Sequence, residues 1–200
     1  MIADFPESVI VGDFNNDHKL DLVVAIYDDR VSDTILLGNG NGTFQNAVIY
    51  STGSASFSVA AGDFDNDNKL DLALIATLKN NVNILLGNGN GTFQYATTYP
   101  VGDFPMFVLT GDFNNDTKLD LLTVNQGDDS VSILFGNGDG TFQQQTTASA
   151  GDLPIFARTG DFNIVIRSYR SSSDQSGHRH RHYSFKLTGI TRSFLSRCKQ

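Results

Sequence analysis

Short apolar runs alternate with polar, turn-forming segments along most of the chain. The clearest runs begin at Leu20, Leu70 and Leu119, and each has apolar residues on both faces of an extended segment. Such a run predicts a strand that is covered on both sides. A second strand-like run follows at residues 34–37, an Asn-Gly turn comes next, and residues 45–50 form a last strand. No 3.6-residue periodicity indicates a helix.

This pattern is repeated at a nearly fixed interval. The motif Gly-Asp-Phe opens each copy, and its aspartate recurs at Asp13, Asp63, Asp112 and Asp161, after 50, 49 and 49 residues. Units of about four strands match the blades of a β-propeller, whereas a solenoid coil is shorter. A sandwich stays possible, but it would not explain near-identical units. We therefore predict an all-β protein, a partial β-propeller of about three four-stranded blades plus the start of a fourth.

Charge divides the chain into two parts. Residues 1–163 hold 21 acidic and 6 basic residues, a net charge of −15, and residues 164–200 hold 1 acidic and 8 basic residues, a net charge of +7. The predicted blades occupy about residues 4–52, 53–101 and 102–150, with a fragment at 151–163. The acidic part fits a cation-binding protein and argues against a nucleic-acid partner. No apolar run reaches the ~18 residues of a membrane helix.

The polar loop after each Gly-Asp-Phe motif carries the candidate chemistry. In the first loop, Asp13 to Asp21, side-chain oxygens stand at positions 1, 3, 5 and 9, and the backbone carbonyl of position 7 would add a fifth ligand. Calcium takes six to eight oxygens in irregular geometry, whereas magnesium demands a stricter octahedron. Without Cys or His at these positions, zinc and copper are disfavoured. The predicted calcium ligands are Asp13, Asn15, Asp17, Lys19 and Asp21; Asp63, Asp65, Asp67, Lys69 and Asp71; and Asp112, Asn114, Asp116, Lys118 and Asp120.

Two other interpretations of these loops stay open. Asp and Asn also cap turns of their own backbone without a metal. Catalytic carboxylates are a further alternative, but catalysis needs one asymmetric site, and these acids are distributed equally among the copies. We therefore predict no catalytic residues, and we expect the second loop, with four carboxylates, to bind calcium most tightly.

The combined motifs resemble the FG-GAP/VCBS repeat, the blade unit of the integrin α-subunit propeller. The resemblance rests on the Gly-Asp-Phe-Asn-x-Asp loop, the following Leu-Asp-Leu strand and the Leu-Leu-Gly-Asn-Gly-x-Gly-Thr-Phe turn, over about residues 4–163. It implies a seven-bladed, calcium-stabilised propeller in an extracellular protein that serves adhesion or ligand binding. The family's usual Gly at loop position 6 is replaced here by His18, Asn68 and Thr117. Because β-branched Thr adopts positive φ poorly, the third site is the weakest candidate.

The fourth copy departs from the motif. Val165 and Tyr169 stand where loop positions 5 and 9 need oxygen ligands, so no metal is expected there. From Ile164 onward the segment is basic, and we expect a disordered tail or the product of a frameshift, a retained intron or a faulty gene model. A His-rich metal tract and a basic arm for anionic surfaces are the alternatives.

These observations favour a non-enzymatic, calcium-binding propeller segment of an extracellular adhesion or interaction protein. A carbohydrate-binding lectin propeller and an accessory domain of a larger extracellular enzyme are the alternatives. The expected partner is a protein or glycan. Since the chain begins inside a repeat unit and holds fewer than seven blades, we expect the other blades to be missing from it or supplied by another copy. The sequons at Asn41 and Asn90 lie in predicted exposed turns and suit glycosylation of a secreted protein.

Overall fold

Strands dominate the structure, a computed structural model that describes residues 5–27, 32–51, 55–160, 163–170 and 181–187. The strands of the first two sheets are β1 (Pro6–Gly12), β2 (Asp21–Ile26), β3 (Ser32–Leu36) and β4 (Val48–Ser51), then β5 (Ser56–Gly62), β6 (Asp71–Ala76), β7 (Asn81–Gly87) and β8 (Phe93–Pro100). Those of the last two are β9 (Pro105–Gly111), β10 (Asp120–Asn125), β11 (Ser130–Leu134) and β12 (Thr146–Ser149), then β13 (Pro154–Gly160), β14 (Asn163–Arg170) and β15 (Arg181–Leu187).

Each sheet is an antiparallel meander whose strands follow the order of the chain. Three sheets have four strands, β1 to β4, β5 to β8 and β9 to β12, and the fourth has the three strands β13 to β15. The regular structure outside the sheets is one 3₁₀ turn, Thr77–Lys79, within the described residues. The predicted fold class, an all-β partial propeller with three four-stranded blades and part of a fourth, is confirmed. Among the described residues, no helix is long and apolar enough to cross a membrane.

Three apolar cores lie between consecutive sheets. The first strands of neighbouring sheets pack against one another, β1 on β5, β5 on β9 and β9 on β13. The second strands are enclosed on both faces: every residue of β6 and of β10 is buried. The expectation from their two-sided apolar pattern is thus confirmed, because the second and third sheets each have a neighbour on both sides.

The repeated phenylalanines join consecutive sheets. Phe14 of the first unit lies 5.9 Å from Phe93 of the second, and Phe64 of the second lies 5.4 Å from Phe142 of the third, between ring centroids. All four rings are buried. Phe44 occupies the same position as Phe93 and Phe142 but is 42% exposed, since no described sheet precedes the first one.

Glycine at the end of each first strand permits this close packing. A β-carbon built on Gly12 would lie 2.6 Å from Leu70 Cδ1, and one on Gly62 would lie 2.5 Å from Leu119 Cδ1. A leucine of the next sheet therefore lies closer than a real β-carbon tolerates. This close approach explains why the first residue of the Gly-Asp-Phe motif is glycine.

The fourth unit differs from the others at the loop. Gly160 pairs with Asn163, and β14 runs antiparallel to β13, so only residues 161 and 162 separate the two strands. The corresponding loops of the first three units contain eight residues. Asp161 itself lies outside the described residues.

Two segments of the basic tail form strands. β14 continues past residue 164, and β15, from Arg181 to Leu187, pairs with it in antiparallel register from Ile164↔Leu187 to Arg170↔Arg181. No strand was expected in these two segments, and the expectation for the rest of residues 164–200 stays a prediction. The physical reason lies in the apolar run Ile164-Val165-Ile166, which continues the sheet and buries Ile166 against the third blade.

Candidate cation-binding loops

The three predicted loops connect the first and second strands of the first three sheets. In each of them the residues at positions 4 and 6 have positive φ, which residues other than Gly, Asn and Asp adopt rarely. The angles are 57° and 64° at Asn16 and His18, 60° and 64° at Asn66 and Asn68, and 59° and 69° at Asn115 and Thr117. The positive φ predicted at position 6 is confirmed, and the one at position 4 was not predicted. The recurrence of Asn at that position was the available signal.

The same ladder of hydrogen bonds holds each loop in shape. In the second loop, Asp63 accepts the backbone N–H groups of Asp67 at 3.0 Å and of Asn68 at 2.9 Å. Asp65 accepts the N–H of Asp67 at 3.2 Å, and Asp67 accepts that of Lys69 at 2.9 Å. The first and third loops repeat all four bonds. The turn-capping role that sequence analysis left open is therefore real, and it also turns these side chains towards the inside of the loop.

The aspartate at position 9 is fully buried in all three units. Asp71 accepts the N–H of Phe64 at 2.7 Å with one oxygen and that of Gly87 at 2.8 Å with the other. Asp21 and Asp120 make the matching pairs of bonds, with Phe14 and Gly38 and with Phe113 and Gly136. This carboxylate thus ties the loop to the end of the third strand. A carboxylate has about four acceptor sites, so two remain on each for a cation.

Burial makes the charge on these aspartates costly. It raises the pKa of Asp71 and that of Asp120 to about 6, although the two backbone N–H bonds oppose the shift. The pKa of Asp65 is raised too, first by burial and then by the negative charges of Asp67 and Asp63. A cation in the loop would relieve both effects, since it would stabilise every ionised form.

The second loop brings three carboxylates together. One oxygen each from Asp63, Asp65 and Asp71 lies within 4.8 Å of the others, a spacing that suits joint coordination of one ion. Asp67, the predicted ligand at position 5, is not part of this group. Its Oδ2 contacts Lys69 Nζ at 2.6 Å, and this bond lowers the pKa of Asp67 and raises that of Lys69.

The other two loops have a neutral side chain at position 3. Asn15 and Asn114 replace Asp65, so each of these loops offers one carboxylate fewer. In the first loop Lys19 Nζ contacts Asp17 Oδ2 at 3.0 Å, as in the second loop. In the third loop the amide of Asn114 donates to Asp116 Oδ2 at 3.0 Å instead. The structure brings the side chains predicted at positions 1, 3 and 9 together in the second loop, while the ligand sets of the other two loops and coordination by position 5 and by the lysine carbonyls stay predictions.

The glycine at or just beyond the end of the third strand is a part of the site that sequence reasoning missed. Gly38, Gly87 and Gly136 donate the N–H that fixes the buried aspartate. A β-carbon on Gly87 would lie 2.2 Å from the carbonyl oxygen of Leu70. Its nearly constant spacing from the buried aspartate, 17, 16 and 16 residues in the three units, was the signal for this contact.

Comparison with known proteins agrees with this geometry. The sequence model of the FG-GAP-like repeat matches residues 13–74, 73–123 and 112–163. The chain belongs to the FG-GAP-like repeat family. The first match spans the first and second loops, and the other two both span the third loop, so the family assignment covers the candidate sites. No curated protein sequence matches the chain.

Solved structures of propeller form resemble this FG-GAP repeat chain. A mercury-soaked crystal structure of BBS1N in complex with ARL6DN has a TM-score of 0.62 and 12% identity, over 96% of this chain and 57% of that one. A lead-soaked structure of the same complex has a TM-score of 0.47 and 14% identity, over 92% and 67% of the two chains. In the mercury-soaked structure, the match spans 57% of the BBS1N chain. At 12% identity, this match shows that the two proteins share a fold.

Proposed function

We propose that this β-propeller repeat segment binds calcium in its three loops and belongs to an extracellular adhesion or interaction protein without enzymatic activity. The observation that carries the proposal is the group formed by Asp63, Asp65 and Asp71 within 4.8 Å, in a loop whose backbone geometry is repeated twice. Oxygen ligands alone suit a hard cation, and calcium accepts the irregular arrangement that such a loop supplies.

Electrostatics supports a cation at this place. The pKa values of Asp65 and Asp71 are both raised, so the metal-free loop holds its negative charges at a cost. Lys69 offsets part of that cost, first of all at Asp67, which it contacts directly. The recurrence of acids at the same positions of three similar loops favours a structural role of the ion and disfavours a catalytic one.

Thermal unfolding tests the calcium proposal directly. At free calcium about tenfold above Kd, each occupied site adds about 1.4 kcal/mol to the free energy of unfolding. We expect the midpoint to rise in millimolar calcium, the range in which extracellular modules bind (Kd about 10⁻⁴–10⁻³ M), and to fall when EDTA is added. The same concentration of magnesium should give a smaller shift.

The control is the triple variant Asp13→Ala, Asp63→Ala and Asp112→Ala, which removes position 1 from each loop. Its midpoint should be the same in calcium and in EDTA. A wild-type midpoint that does not differ between calcium and EDTA would contradict the proposal, as would a shift that the triple variant retains.

A further inference from the structure

The second loop is held from outside by the third blade. Gly140, in the turn of the third blade, donates its N–H to the carbonyl of Phe64 at 2.9 Å. The side-chain amide of Asn66 donates to the carbonyl of Gly138 in the same turn, also at 2.9 Å. Phe64 and Asn66 are loop positions 2 and 4, so these contacts fix the backbone on either side of Asp65, the ligand at position 3.

Aromatic packing adds a third link across this boundary. Phe142 follows the turn, and its ring meets Phe64 edge to face with 5.4 Å between centroids. The hydroxyl of Tyr99, in the second blade, accepts the N–H of Phe142 at 2.8 Å. The turn of the third blade is thus bound to the second blade by its backbone and by a buried ring.

The first boundary repeats the arrangement. Gly91 donates to the carbonyl of Phe14 at 2.9 Å, and Phe93 packs on Phe14. A β-carbon on Gly89 would lie 3.0 Å from Asn16 Nδ2, as one on Gly138 would lie 2.9 Å from Asn66 Nδ2. The first loop therefore faces the turn of the second blade in the same way.

The third loop has no such neighbour in the described part of the fourth sheet. The sequence after Phe142 contains no further Gly-Asn-Gly turn. In the fourth unit, β14 begins at the place where the loop lies in the other units. Phe113, the counterpart of Phe64, is accordingly only half-buried, whereas Phe64 is 2% exposed.

From these contacts we infer that the turn of the following blade completes the first and the second cation loop, so that Asn66, Gly140 and Phe142 are positioning residues for the second site. The inference rests on the proposed calcium binding. The first and second loops bind calcium more tightly than their own side chains would allow alone, and the third has no such contact among the described residues. By linkage, calcium in a loop also strengthens the contact with the following blade.

A single-loop reporter tests the inference. The variant Asp13→Ala with Asp112→Ala leaves the second loop as the one intact site, and its calcium affinity is measured by titration calorimetry with calcium chloride. In this reporter, Asn66→Gly removes the amide that reaches Gly138 but keeps a residue that tolerates positive φ. We expect it to weaken calcium binding about fivefold, at the lower end of common coupling strengths.

Asn68→Gly is the matched control in the same reporter. Asn68 is also an exposed Asn with positive φ in this loop, and it makes no bond to the third blade among the described contacts. Its substitution should change the affinity by less than about twofold, since a family-typical Gly then occupies position 6. Phe142→Leu is a second probe that should also weaken binding, although Phe142 is at least 71 residues away in sequence from every predicted ligand of the second loop.

The outcomes separate the two proposals. A reporter that binds no calcium contradicts the proposed function itself. If the reporter binds calcium and Asn66→Gly lowers its calcium affinity no more than Asn68→Gly does, the inference is overturned and the proposed function stands. Circular dichroism in EDTA verifies that each variant is folded. If Phe142→Leu is unfolded, the comparison of Asn66→Gly with Asn68→Gly decides whether the inference holds.

Discussion

The carboxylate of Asp71 joins two parts of one blade by accepting the N–H of Gly87 at 2.8 Å while its other oxygen accepts that of Phe64. The side chain is fully buried, so both bonds are made away from water. This aspartate is therefore a structural element of the metal-free protein as well as a candidate ligand.

Asp71→Asn should destabilise the chain without any metal. One carboxylate oxygen becomes an NH₂ group that faces a backbone N–H, and a buried donor left without an acceptor costs about 1–3 kcal/mol. The free energy of unfolding, measured with urea in EDTA, should fall by that amount. Asp67→Asn, which alters an exposed ion pair, should cost less than about 1 kcal/mol. Equal losses in the two variants would contradict the structural role of Asp71.

Lys69 competes with a cation for Asp67. Its ammonium lies 2.6 Å from Asp67 Oδ2, so calcium must displace it before this carboxylate becomes a ligand. We expect Lys69→Gln to raise the calcium affinity of the second loop by up to about fivefold, given the usual strength of an exposed ion pair. Calorimetry on single-loop reporters measures the change.

Lys118→Gln provides the control for that prediction. Lys118 forms no ion pair within 4.0 Å among the described residues, because Asn114 binds Asp116 in its place. The affinity of the third loop should rise less, through the general loss of positive charge. If Lys118→Gln raises affinity as much as Lys69→Gln does, the lysine acts at long range and the competition is absent.

The sequence predicted the elements of one blade but not the relation between blades. The period of the motif and the two-sided apolar pattern of the run at Leu70 identify the strands, since both depend on local residues. The burial of Asp71 and the role of Gly87 depend on a partner 16 residues away, which no local pattern identifies. The tail strand β15 was not predicted, because the basic and polar composition of the tail favoured disorder. The apolar residues of β14, with which β15 pairs, were given less weight.

Exposure of equivalent residues shows the same limit. Phe44 and Phe142 occupy the same place in two near-identical turns, yet Phe44 is 42% exposed and Phe142 is 6% exposed. Only the presence of a preceding blade distinguishes them. A sequence repeat therefore predicts the conformation of each unit, while burial follows from its position in the array.

Thr117 should be the most strained residue of the third loop. Its φ of 69° is unfavourable for a β-branched residue, whereas Asn68 adopts 64° at the same position of the second loop. Thr117→Gly should raise the free energy of unfolding by about 1 kcal/mol, since L residues incur about 1–2 kcal/mol in this region. Asn68→Gly should change it little. A destabilised Thr117→Gly variant in urea unfolding would show that the Thr side chain contributes more than its backbone strain costs.

Val9 and Val108 provide a matched pair for the contribution of blade packing. They occupy the same place in β1 and β9, but Val9 is 56% exposed and Val108 is 2% exposed, because only Val108 is covered by the preceding blade. Val108→Ala should lower the free energy of unfolding by about 1–3 kcal/mol through lost burial and the cavity left behind. Val9→Ala should lower it by less than about 0.5 kcal/mol. Urea unfolding in EDTA measures both, and a large loss for Val9→Ala would mean that its side chain is covered in solution, which would place a further sheet against the first blade.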